Sequence, residues 1–176
     1  MKKLLVFLFL LSSCKQEAID LSLGVVKGSI NGITWDGKSQ IRAYLATESC
    51  GEKKIGINLQ IFSNLGLDRL GLAIFDISPT EGTARIFKRK YNSQNCEDVE
   101  GSLSLSNYDV FLDQVYVLEK STFNHQITIS RVDTVANIME GNFQILFGDS
   151  ENKERVLPDT VLVKAEFRVP ITRLDL

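Results

Sequence analysis

Apolar and polar side chains alternate along most of this chain. In Thr160–Val169, Val161, Val163, Ala165, Phe167 and Val169 fall on one side of an extended backbone, and Lys164, Glu166 and Arg168 on the other. Lys54–Phe62 repeats the pattern, with Ile55, Ile57, Leu59 and Ile61 set against Gly56, Asn58 and Gln60. Gln126–Val132 and Asn142–Phe147 do the same, whereas the spacing of an amphipathic helix is almost absent. Turn signals separate the runs at Asn31-Gly32, Asp36-Gly37, Ser63–Gly66, Ser78–Gly82, Phe123–His125 and Met139–Gly141. About nine to ten strands with no helical stretch predict an all-β fold, an antiparallel β-sandwich or an open barrel. The longest polar stretch, Gly148–Asp159, reads as the loop joining the last two strands.

The amino terminus departs from this pattern. Lys2 and Lys3 precede an unbroken apolar run from Leu4 to Leu11, followed by Ser12, Ser13 and Cys14. The run is less than half of the roughly 20 residues needed to span a bilayer, so it reads as an export signal rather than an anchor. Leu11-Ser12-Ser13-Cys14 resembles the lipobox of bacterial lipoproteins, which implies lipidation at Cys14. On this reading residues 1–13 are a removed signal, residues 14–22 are the lipidated cysteine and a tether, and residues 23–176 are one domain. Each buried methylene contributes about 0.8 kcal/mol, and two or three acyl chains hold a protein durably at a membrane where one does so only marginally.

Charge and cysteine count narrow the classes. The formal net charge is −2, and without Lys2 and Lys3 it becomes −4. That balance argues against a nucleic-acid partner, which calls for clustered positive charge. With Cys14 lipidated, Cys50 and Cys96 form an even pair in an oxidising compartment, read as a disulfide. Closing that loop of roughly 47 residues is worth about 4 kcal/mol in the chain-entropy model.

Candidate chemistry is sparse. His125 is the only histidine, and the sequence around it, "TFNHQI", reads as a turn with a solvated imidazole; no serine elbow accompanies it. Asp109 and Asp113 flank an expected edge, and Asp149, Glu151 and Glu154 share one loop, so a carboxylate hydrolase is carried as an alternative. "DSENKE" lacks the alternating oxygens and glycine of a calcium loop, and no metal or cofactor is expected. Arg85, Lys88 and Arg89 in "RIFKRKY" are candidates for binding phosphate or acidic glycan, against the plainer reading of a charged edge strand. Trp35 would suit sugar stacking if exposed and would plug the core if buried; Tyr44, Tyr91, Tyr108 and Tyr116 would add to a platform.

Two longer stretches, "VKGSINGITWDGKS" and "ITISRVDTVANIMEGNFQILF", resemble a family of small lipoproteins of unknown function from Gram-negative Bacteroidota-type bacteria. The matching positions are Asn31, Gly32 and Trp35, then Asp133, Gly141 and Phe143, with a middle turn around Gly82. The resemblance implies a β-sandwich-like domain and no activity. In physical terms these residues read as architecture: Asn-Gly for a tight hairpin, Asp133-Thr134 for a side-chain-to-backbone turn, and Gly141 for a bulge or turn before Phe143 enters the core.

The resulting expectation is a non-enzymatic, membrane-anchored accessory or binding module of the cell envelope. It is an outer-membrane lipoprotein, at the periplasmic face or the cell surface, with a glycan, lipid or envelope-protein partner. Its alternative is a structural or assembly partner of an outer-membrane complex.

Overall fold

A computed structural model describes residues 23–35, 39–46, 53–62, 68–89, 98–108, 110–149 and 155–173. Cys14, Cys50 and Cys96 lie outside the described residues, as do Tyr91 and the Asp36-Gly37 and Ser63–Gly66 turns. All regular structure among the described residues is β: β1 (Val25–Ile30), β2 (Ile33–Thr34), β3 (Ser39–Ala46), β4 (Lys54–Phe62), β5 (Asp68–Ile77), β6 (Gly82–Lys88), β7 (Val99–Asn107), β8 (Val110–Val117), β9 (Gln126–Asp133), β10 (Ile138–Asp149) and β11 (Val161–Arg173).

The expected all-β architecture is present, and its sheet closes on itself. Eight strands follow one another as β11-β3-β4-β5-β7-β6-β9-β10, and β10 pairs back onto β11. Most neighbours are antiparallel; β3–β11 and β6–β7 are parallel. The β1–β2 hairpin branches from β11, and β8 bridges β7 and β10 beside β6 and β9.

Alternation decides the faces. Val161, Val163, Ala165, Phe167 and Val169 of β11 are buried while Lys164, Glu166 and Arg168 are exposed. The same division on β4 and β10 sends Ile55, Ile57, Leu59, Phe143, Ile145 and Phe147 inward, where they fill the barrel with close-packed apolar side chains. This inside-apolar, outside-polar order is the reverse of a membrane-spanning barrel, whose lipid-facing side tolerates charge poorly.

Local turn chemistry follows the residue types. Asn31 and Gly32 both take positive φ, the mirror-image turn that matches strand twist. The Asn31 side chain also accepts a hydrogen bond from Leu162 N–H at 2.8 Å, tying the hairpin to β11. Asp133 Oδ1 accepts from the N–H groups of Val135 and Ala136, forming the expected side-chain turn between β9 and β10. Gly141 sits where the β9–β10 register shifts, with Thr128 O so close that a Cβ would collide at 2.3 Å. The Met139–Gly141 signal is therefore a bulge inside β10 and not a turn; the chain reverses at residues 134–137.

Two further expectations are corrected. "RIFK" is not at an edge: β6 pairs with β9 through Gly82–Arg85 and with β7 through Ile86–Lys88. His125 is not solvated but 1 % exposed, and Asp113 is fully buried rather than marking an edge.

Candidate functional site

Strand register, rather than any motif, assembles the principal surface feature. Arg85 on β6 lies opposite Gln126 on β9, Gln126 opposite Gln144 on β10, Gln144 opposite Lys164 on β11, Lys164 opposite Ser29 on β1, and Ser29 opposite Thr34 on β2. A second row, two residues along each strand, runs Thr83, Thr128, Asn142, Glu166 and Lys27. All of these belong to the outward set, because their neighbours Ile127, Phe143, Val163 and Ala165 are committed to the core. Six strands spaced about 4.8 Å apart make the first row roughly 24 Å long.

Between β9 and the β1–β2 hairpin the two rows line an open groove of about 480 Å³, bounded by Lys27, Ser29, Thr34, Gln126, Asn142, Gln144, Lys164 and Glu166. Its two glutamine amides are held in place. Gln144 Nε2 donates to Asn124 O at 3.0 Å, Asn124 donates to Gln126 Oε1, and the Thr83 and Thr128 hydroxyls are 3.0 Å apart. The described lining carries one carboxylate, Glu166, and neither histidine nor cysteine. It offers donors and acceptors along a line, suited to binding an extended polar molecule.

The residues singled out from sequence disperse around the barrel. Arg85 stands at the outer end of the first row, its guanidinium 5.2 Å from the Phe87 ring centre. Lys88 and Arg89 lie elsewhere, Lys88 over Tyr116 at 5.0 Å and Arg89 over Phe75 at 4.1 Å. Trp35 is half-buried, packs against the core, and covers the inward side of Gly28, where a Cβ would sit 2.2 Å from its ring. Tyr44 packs over Gly56, Tyr116 is buried beneath Lys88, and Tyr108 is exposed at the β7–β8 hairpin, so the described tyrosines form no platform with Trp35.

His125 completes the backbone where strand pairing changes partner, and Asp113 satisfies the backbone of an irregular segment. β10 pairs with β9 up to Gln144 and with β8 from Phe147, leaving Leu146 between them. Leu146 N–H donates to His125 Nδ1 at 3.2 Å, so the imidazole proton is on Nε2, which lies 3.1 Å from Leu118 O and donates to it. Burial pushes the imidazole pKa down, Arg85 adds to this, and the Leu118 carbonyl and Glu119 oppose it. Asp113 accepts from Leu157, Val156 and Gln114 N–H at 2.8–3.0 Å. Burial raises its carboxyl, but those three N–H groups and Arg155 outweigh that and hold it below the usual range. His125 stands in for a missing strand neighbour, Asp113 ties β8 to the irregular segment at Val156 and Leu157, and neither lines the groove. Asp109, Glu151 and Glu154 lie outside the described residues, and Asp149 is described only as backbone.

No family model, no curated protein and no solved structure matches this chain.

The groove residues Lys27, Ser29, Gln126, Asn142, Gln144, Lys164 and Glu166 were not candidates from sequence. Their polarity was visible in the alternation, but which strands lie side by side was not.

Proposed function

We propose that this chain is a lipid-anchored, non-enzymatic binding module of the cell envelope, and that the groove across β9, β10, β11 and β1 holds an extended glycan strand. The lipobox at Cys14 supports the anchor, as does the likeness to small envelope lipoproteins. The observation that carries the binding reading is the pair of register-aligned polar rows, which offer amides, hydroxyls and charges at strand spacing along about 24 Å. Hydroxyl-rich ligands need many weak, directed hydrogen bonds, and amide side chains serve as both donor and acceptor.

Thermal unfolding of the mature protein against a panel of oligosaccharides tests this. A ligand at one hundred times its dissociation constant adds about 2.7 kcal/mol to the folded state. The expected result is a shift with at least one glycan class that the Asn142→Ala, Gln144→Ala double variant abolishes. A shift that persists in the variant, or none across the panel, rejects the groove.

A second reading, docking to an envelope protein, is favoured by a separate feature. At the β7–β8 hairpin Tyr108, Val110 and Phe111 are 67 %, 62 % and 59 % exposed, an apolar tip of the kind that marks interaction sites. Crosslinking in intact cells that is lost in Phe111→Ser would support this use of the tip.

A further inference from the structure

We infer that the glycan held in the groove is an acidic one, carrying negative charge at intervals along its length. The inference rests on the groove reading above and adds the charge of the ligand to it.

Arg85, Lys164 and Lys27 stand along the two rows against one carboxylate, Glu166. Among the described residues Lys27, Lys164 and Glu166 form no ion pair within 4 Å, although Lys27 lies opposite Glu166. The next charged group along the same strands behaves differently. Arg168 binds Glu140 at 3.1 Å and Arg131 binds Asp133 at 3.0 Å, so those charges satisfy one another. The groove is thus locally positive on a chain whose mature form is acidic.

Spacing favours a polymer over a small anion. Arg85 and Lys164 are three strand steps apart, about 14 Å, with the two glutamine amides between them. Lys27 lies diagonally from Lys164 across the β1–β11 pair, about 7–8 Å away. One phosphate or carboxylate cannot touch both cations, whereas an acidic chain laid along the first row meets Arg85 at its outer end, Lys164 three strands further on, and hydrogen-bonding groups between and beyond. Arg85 lies over Phe87, and a guanidinium stacked on a ring keeps its in-plane N–H groups free for a carboxylate or sulfate.

The test is a titration of the mature protein with three oligosaccharides of matched length: a neutral glucan, an oligouronate and a sulfated glycan. The acidic oligomers are expected to bind about tenfold or more tightly than the neutral one, with an affinity that falls as salt rises. The uronate and sulfate arms tell which acid the groove takes. Lys164→Glu should remove this preference, while Lys120→Glu, an equal charge change at an exposed site outside the groove, should leave it. Equal binding of neutral and acidic oligomers overturns the inference but leaves the groove reading standing. Loss of the preference in Lys120→Glu overturns it as well, since the effect would then be one of net charge. Binding by none of the three removes both.

Discussion

His125 illustrates how one side chain can stand in for a strand. Its ring accepts the Leu146 N–H, which the diverging strands leave to it, and donates to the Leu118 carbonyl, which also accepts from Ser121 N–H. Burial disfavours the charged ring and Arg85 adds to this, so the folded state favours the neutral form and its pKa is lowered. The unfolded histidine titrates near 6.5. Below that value the unfolded chain binds more protons than the folded one, so the contribution is full above about pH 6.5 and is lost as pH falls toward the folded value. Because this is the only histidine, the denaturant midpoint should hold steady above pH 6.5 and decline between about 6.5 and 5, before carboxylates dominate. His125→Leu should lower the plateau by about 1–3 kcal/mol for the orphaned Leu146 N–H and abolish that slope. A wild-type protein as flat as the variant would refute this account. The sequence placed His125 correctly between two strands but not in the interior, because the groups it satisfies lie 7 and 21 residues away along the chain.

At the scale of elements, periodicity was a reliable guide where one face is dry. β4, β10 and β11 are found where alternation put them, and Asn31-Gly32 and Asp133-Thr134 turn as their side chains dictate. It failed where a strand's surroundings, not its composition, decide its role. The charges of "RIFK" look like an edge, yet β6 spans the gap between β9 and β7, and its arginine covers an apolar ring. For Gly141 composition left a turn and a bulge both open, and the structure takes the bulge, where Thr128 O approaches. Cys50 precedes β4 and Cys96 precedes β7, and these two strands flank β5, with Ile55 opposite Ile77 and Glu100 opposite Phe75. The bridge itself is proposed from the even pair of cysteines alone. Thiol titration of the unreduced, denatured mature protein should find no free thiol from this pair, and Cys50→Ser with Cys96→Ser should cost about 4 kcal/mol in the chain-entropy model. Two reactive thiols per chain would rule the bridge out.

For the whole molecule, the outward face of Lys164, Glu166 and Arg168 and the apolar interior mean that the barrel itself gains nothing from entering lipid. In the proposed reading attachment therefore falls to Cys14 alone. Cys14→Ala should move the protein from the membrane to the soluble fraction of cell extracts; persistence with membranes would defeat the lipoprotein reading.

The linear sequence determined by itself what depends on near neighbours: an all-β chain, the faces of its longest strands and two of its turns. Period-two alternation and turn chemistry act within a few residues, so they are readable without the fold. Only the tertiary structure decided that the sheet closes, that β6 is interior, that His125 and Asp113 are buried against backbone N–H groups, and that Arg85, Gln126, Gln144, Lys164 and Ser29 form one row. These outcomes rest on which strands hydrogen-bond side by side. That choice is made by burying all the dry faces at once, and no local stretch of the chain encodes it.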